Sequence, residues 1–223
     1  MLLKDSPNKK DIQALSVQLW NELQETDENY AESYLTWCIE KLRTNKAHQK
    51  EQTIRRKLNR KNLTQQDRDQ LTRELQKVKH KDHPKNITKG DIVHVKFGVN
   101  LGDELSDLDG NYKIIDGHYA IVLGQKGFMF HILPLTSQPQ RLNDPDLEIF
   151  FEGLALPGGY DKSHLAFAKM QFIHIRRIKR IHGIPEGKKR LTDEQLKILD
   201  EKLSKLMALK AFVTNGESAQ VTI

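Results

Sequence analysis

The spacing of hydrophobic positions changes near residue 90. Before it the period is helical. In KKDIQALSVQLWNEL, Ile12, Leu15, Leu19 and Leu23 recur at steps of three and four, and in ENYAESYLTWCIEKLR so do Tyr34, Leu35, Cys38 and Leu42. These runs predict two helices over residues 9–43, with Trp20 and Trp37 as packing residues. Residues 46–80 predict a helical hairpin. Ile54 and Leu58 mark one thin stripe, and Leu71, Leu75 and Val78 mark the other. Thr64, followed by Gln65, Gln66 and Asp67, reads as the N-cap of the second helix. Narrow apolar stripes with charged outer faces suit an antiparallel coiled-coil pair. Such a pair buries little alone and so docks on another surface or on a second copy.

The polar segment HKDHPKNITKG, with Pro84 to stop the helix, reads as the domain boundary. His80 and His83 stand in it at a spacing that matches no strong metal motif. From Asp91 the pattern is that of strands. DIVHVKF alternates, HYAIVLG and FMFHILPL flank a hairpin turn expected at Gln125 and Lys126, and LEIFFEGL and FAKMQFIHIRRIKRI supply two more runs. Short strands joined by tight turns predict a small closed or nearly closed antiparallel barrel. Thr192, ahead of Asp193, Glu194 and Gln195, opens a last helix running to about Ala211, with Leu196, Leu199, Leu203 and Leu206 on one face. The expected division is a helical region over 1–85, a barrel domain over 86–213 and a flexible polar tail over 214–223.

Charge sharpens this picture. The chain carries a net +6, and residues 46–85 hold 13 Lys/Arg against 5 Asp/Glu, a local +8 that leaves −2 for the rest. A second basic cluster comprises Arg176, Arg177, Lys179 and Arg180, then Lys188, Lys189 and Arg190. Uneven basic charge favours an anionic partner such as nucleic acid. The single cysteine, Cys38, excludes an intrachain disulfide and a cysteine-rich zinc site. No apolar run reaches the ~18 residues of a membrane span, and the charged start does not read as a signal peptide. The expectation is a cytoplasmic protein with no membrane association.

The stretch from Gly90 to Gln138 resembles the PemK/MazF family of toxin endoribonucleases. GDIVHVKFGVNLGDE is similar to that family's opening strand and loop, through Gly90, Asp91, Phe97, Gly98, Gly102 and Glu104. HYAIVL is similar to its second strand and ILPLTSQ to the strand ending in a threonine, while IHIRRIKRI and RLTDEQLKILDEKL resemble its later strand and closing helix. The likeness spans residues 90–210 and leaves the N-terminal 85 outside. It implies an α+β fold built on an SH3-like antiparallel β-barrel with a C-terminal helix, here preceded by an all-helical region with a basic hairpin. It also implies cleavage of single-stranded RNA without metal or other cofactor, a homodimer and a cognate antitoxin.

The resemblance implies catalytic residues too. The family's threonine falls on Thr136, with Ser137 beside it. Its arginine falls on His118, so that His118-Tyr119 stands where Arg-Pro is usual, and the preceding loop, Leu105 to Gly117, is longer than usual. Glu104, Tyr112, Lys113, Tyr119, Arg176 and Arg177 are candidate substrate-binding residues. Aromatic rings can stack on bases, and cations can hold phosphates. The acidic loop residues Asp103, Glu104, Asp107 and Asp109 either read base edges or fix the loop.

Metal-free RNA cleavage needs a base for the 2′-hydroxyl, an acid for the leaving 5′-oxygen and donors for the phosphorane. Arginine stabilises charge but is a poor base, whereas histidine works as either base or acid near neutral pH. Thr136 and Ser137 supply hydroxyl donors. His94, His131 and His174 lie within strands and read as structural. His131 is five residues from Thr136, an odd number that puts the two on opposite faces. The alternative to an enzyme is a catalytically inactive module of the same fold that binds nucleic acid or protein. A third reading is an assembly protein whose hairpin mediates oligomerisation.

Overall fold

Nothing between Arg43 and Lys46 stops a helix, and the chain runs straight through these residues as helix. The computed structural model describes residues 7–215 except 61, 80–81, 100–106, 112, 114, 116, 138–148 and 160, with the backbone alone described over 208–215. Its N-terminal helices are α1 (Lys9–Gln24), α2 (Glu28–Leu58) and α3 (Gln65–Val78). The second predicted helix and the first arm of the predicted hairpin are therefore one helix of 31 residues. Asp27 caps it, accepting the Asn29 and Tyr30 amides at 2.9 and 3.2 Å. Thr64 caps α3 as expected, accepting the Asp67 amide at 3.1 Å. The C-terminal part of α2 buries Ile54, and its buried Glu51 accepts the Arg55 guanidinium at 2.8 and 3.0 Å.

The chain divides into two compact units, residues 1–81 with 97–116, and residues 82–96 with 117–223. In the first, α1 buries only Leu23, while Ile12, Leu15, Leu19 and Trp20 of the same helix are exposed. The helical period was read correctly there, but Trp20 is not a packing residue within this chain. Trp37 is one: its ring lies against Gly98, which takes φ +86°, and a Cβ built on that glycine would overlap the indole. Asp107 fastens the same loop. Its buried carboxylate accepts the Gly98 amide at 2.7 Å, and its own amide donates to Gly98 O at 2.8 Å. Asp109 accepts the Asn111 and Lys113 amides, each at 2.9 Å. Asp107 and Asp109 thus fix the loop; Asp103 lies outside the described residues.

The second unit is built on a sheet of eight strands: β1 (Asp91–Val95), β2 (His118–Lys126), β3 (Met129–Thr136), β4 (Phe150–Phe151), β5 (Ser163–Leu165), β6 (Gln171–His174), β7 (Ile178–Lys179) and β8 (Lys189–Arg190). Every pairing is antiparallel. The β2–β3 hairpin closes two residues later than predicted. Lys126 pairs with Met129, so Gly127 and Phe128 form the turn, and Gly127 supplies the positive φ that mirror-image hairpin turns require.

Two central strands each change partner along their length. β1 pairs with β2 on one side, and on the other with β8 at its start and β7 at its end. β3 pairs with β2 on one side, and on the other with β6 over Met129–Ile132 and β5 over Leu135–Thr136. The lateral order β6-β3-β2-β1-β7 would set β6 and β7 about 19 Å apart in a flat sheet, four spacings of ~4.8 Å. Yet they are joined by a single 3-10 turn, Ile175–Arg177. Four residue steps reach at most about 14 Å. The sheet must therefore curl.

Side-chain alternation identifies its concave face. Val93, Val95, Ala120, Val122, Phe130, Ile132, Ile173 and Ile178 share it across all five strands, each at most 1% exposed. On the other face Phe172 of β6 is 62% exposed. Of the closed or nearly closed barrel expected from the sequence, closure is nevertheless not formed by the pairing. β6 and β7 are joined through their turn, and no ladder pairs them among the described residues.

The convex face carries a second core. Ile92, Ile121, Leu133 and Leu135 pack with Phe151, Leu165, Phe167 and Leu191 and with Leu199 of α4 (Asp193–Asn215). Leu196, Leu203 and Leu206 join them, the face predicted for this helix. Thr192 and Gln195 cap it reciprocally at 3.0 and 3.1 Å. The helix runs past Thr214, where the tail was expected to start; residues 216–223 lie outside the described residues. At the start of β1 the Asp91 carboxylate, 1% exposed, accepts the Thr88 amide and the Lys188 ammonium, each at 2.7 Å, with Arg190 at 3.4 Å. Gly90 and Asp91 of the opening motif thus anchor the fold.

Gly98→Ala is expected to destabilise the protein by about 2–4 kcal/mol, since it adds a Cβ against the indole and strains a positive φ. Urea unfolding should show this loss, and Trp37→Ala should remove the steric part of it. An equal loss in both backgrounds would contradict the contact.

Candidate functional site

β2 and β3 run antiparallel with Ala120 opposite Pro134. The β2–β3 ladder ends at that pair, and the strands run two residues further, to His118 on β2 and to Thr136 on β3, at the same end of the hairpin. Thr136 in turn pairs with His164 of β5, and His164 with Phe150 of β4. On the other side His118 pairs with Val95 of β1, and Val95 with Ile178 of β7. The row Ile178, Val95, His118, Thr136, His164, Phe150 thus consists of two paired runs, the first ending at His118 and the second starting at Thr136, with the β2–β3 ladder closing at Ala120–Pro134 beside them. Directly opposed residues of antiparallel strands share a face, with Cα atoms about 4.5–5.5 Å apart. Val95 and Ile178 belong to the concave face, so the row lies at its rim. Its polar members, His118, Thr136 and His164, are all half-buried.

Local sequence explains the rim. Gly117, φ +97°, stands before β2 where a Cβ would fall 2.5 Å from Val95 O, so the backbone turns into the strand in a way a side chain would block. At the other end β3 releases β6 and takes up β5 within Pro134-Leu135-Thr136. Pro134 has no amide hydrogen to give, while its carbonyl accepts the Ala166 amide at 2.9 Å.

The remaining candidates fall in different places. Ser137 follows Thr136 and is exposed. Tyr119 points to the convex face, where its hydroxyl donates to Pro157 O at 3.2 Å and its ring meets His94 edge-on at 5.6 Å. It is not brought together with His118 and Thr136. Arg176 and Arg177 form the 3-10 turn between β6 and β7, and Arg177 O accepts the Lys96 amide at 2.9 Å. That puts the Arg177 backbone beside the end of β1, one residue from the row. Lys113 is exposed in the loop held by Asp109. Glu104 and Tyr112 lie outside the described residues, as does His80. His83 bonds Pro84 O at 2.7 Å through Nδ1.

The other strand histidines take packing roles. The His174 Nδ1 accepts the Arg176 amide at 3.2 Å, and its ring lies 6.0 Å from Phe128. His131 stacks on Phe172 at 4.5 Å and 18°, on the face opposite Thr136. Burial pushes the His131 imidazole below its ordinary value.

His164 was missed by sequence reasoning. Within KSHLAF only Ser163–Leu165 form a strand, with no motif around it, and the proximity of His164 to Thr136 arises from pairing across 28 positions. Its ring lies 4.8 Å from that of Phe150. Lys162 sits over the same Phe150 ring at 5.9 Å and bonds Glu152 at 2.7 Å. That hydrogen bond and the Glu152 charge hold the Lys162 ammonium above its ordinary value. Among the described residues no group of three or more His, Cys, Asp or Glu is arranged to hold a metal ion. No protein-family model matches the chain, and no curated protein matches it.

The lowered His131 value has a consequence for stability. The fold prefers the neutral ring, so its contribution is present above the ordinary histidine range, near 6.5, and is lost as pH falls below it. His131→Gln should therefore lose less stability than the parent between about pH 7 and 5. Identical acid slopes in denaturant titrations would show that His131 is not responsible.

Proposed function

We propose that this protein is a toxin-type endoribonuclease that cleaves single-stranded RNA by attack of the 2′-hydroxyl, on a curled sheet of SH3-like kind. The observation that carries this reading is that β2 and β3, paired up to Ala120 and Pro134, carry His118 and Thr136 at the same end of the hairpin, on the rim of the concave face. A strand-held imidazole and a hydroxyl on one face suit the chemistry. The imidazole moves a proton, and the hydroxyl donates to a non-bridging phosphate oxygen as negative charge builds there. Attack of O2′ on phosphorus forms a 2′,3′-cyclic phosphate and breaks the bond to O5′, which departs with a proton. Arg176 and Arg177 are the cations assigned to the flanking phosphates. A homodimer and a cognate antitoxin complete the proposal, on the resemblance alone.

A second reading, a catalytically inactive module binding nucleic acid or protein, is favoured by one observation: histidine occupies the position where the resemblance implies arginine.

Purified protein is expected to cut a mixed RNA in EDTA and leave cyclic phosphates. Complete dependence on added magnesium would contradict the mechanism, and the absence of cleavage would favour the inactive module. His118→Ala should lower the rate by roughly 10²–10⁴, as for loss of a general acid or base. His118→Arg separates two roles. A proton-transfer role predicts loss of rate and of the pH dependence near neutrality, whereas a purely electrostatic role predicts an arginine variant as fast as the parent.

The basic helices make a separate contribution. Arg56, Lys57 and Arg60 are exposed at the end of α2. If they hold phosphates, replacing all three with Gln should flatten the log–log salt dependence of RNA binding by up to about 2, at ~0.7 per contact on a single strand. An unchanged slope would assign this surface to a different partner.

A further inference from the structure

Resting on the ribonuclease reading of the same site, we propose that His164 is its second proton-transfer residue, His118 and His164 acting as an acid–base pair across Thr136. In an in-line displacement the attacking O2′ and the departing O5′ lie on opposite sides of phosphorus, so one imidazole cannot serve both. The row supplies two: His164 is paired with Thr136 from β5, and His118 stands on β2, the strand on the other side of β3, two residues past the last paired residue, Ala120. Imidazoles reaching inward from both ends leave room for one phosphodiester over the threonine hydroxyl. In the step, a neutral ring takes the proton from O2′ as the O2′–P bond forms. The other ring, protonated, gives its proton to O5′ as the P–O5′ bond breaks. The two histidines finish with protonation states exchanged, and solvent resets them.

His164 is built for a fixed position. Its backbone lies between two ladders, to Thr136 and to Phe150, and its ring rests 4.8 Å from that of Phe150. A functional group on a strand paired on both sides is held more accurately than one on a loop. Among the described residues, the charged groups on the neighbouring strands are these. From the β4 and β5 side there is the Glu152–Lys162 pair, closed at 2.7 Å. From β2 there is His118, and from β3 only uncharged Thr136. Val95 brings no charge from β1, whose next residue is Lys96. Lys162, over the Phe150 ring at this end of the row, is a cation suited to a neighbouring phosphate.

The test is a pair of pH–rate profiles on the full-length protein. One substrate is a single-stranded RNA oligonucleotide carrying a mapped cleavage site. The other is the same oligonucleotide with sulfur replacing O5′ at that bond. A thiolate leaves without a proton, because thiols are far stronger acids than alcohols. The parent should give a bell-shaped profile on the ordinary RNA. His164→Gln and His164→Phe should each lower the rate by roughly 10²–10⁴, removing one limb of the bell while His118→Gln removes the other. The sulfur substrate should restore the rate of one of these histidine substitutions and not of its opposite. His164→Phe preserves stacking on Phe150, so full activity in that variant, or both limbs retained in His164→Gln at any rate, would overturn the proposal and leave a packing role. If the parent itself fails to cleave, the ribonuclease reading falls first and this inference with it. If the parent cleaves and the His164 variants are unimpaired, this inference alone falls.

Discussion

A three-residue turn sets the shape of the strand-bearing unit. Ile175–Arg177 must carry the chain from β6, hydrogen-bonded to β3, to β7, hydrogen-bonded to β1, with β2 between those two partners. The chain cannot span that distance on a flat sheet. Curling satisfies the constraint and creates an enclosed face that small and medium apolar residues fill completely. It also creates a rim. The enclosed apolar pair of Ile178 and Val95 runs on to His118 of β2, and Thr136 and His164 stand paired at the neighbouring end of β3. The same alternation that buries the core aims polar groups along its edge, so the candidate site costs the core nothing.

The buried charge at Asp91 serves this arrangement from the other end of β1. A carboxylate 1% exposed would be costly alone, but it is met by an amide from the preceding turn, by the ammonium of Lys188 just before β8 and by the guanidinium of Arg190 in β8. That cluster ties residues just after the helical region to a strand almost a hundred positions later. It holds β1 in place, and through Val95 it holds the strand against which His118 is registered.

Much of the fold was legible in residue spacing, because period and capping are local. The Thr64 and Thr192 caps, the apolar face of α4 and the first three strands follow from nearest neighbours along the chain. What was not legible depended on partners. Arg43 to Lys46 carry no stop signal, so one long helix looked like two. FAKMQFIHIRRIKRI looked like one strand because nothing local marks the point where the partner changes from β3 to β1. Trp20 and Trp37 have equivalent local patterns, and only Gly98 distinguishes them. His118 and Thr136 were found through a resemblance of motifs. His164 had no motif, and its relation to them is a matter of register.

The central claim is that His118 and His164 flank one phosphate site over Thr136. The most direct measurement is a titration of ¹⁵N-histidine-labelled protein with a single-stranded DNA of the cleaved sequence, which lacks the attacking hydroxyl and stays intact. The ring signals of His118 and His164 should shift together, with one binding constant, while those of His131 and His174 stay in place. Saturable binding that leaves both rim histidines unmoved would contradict the account.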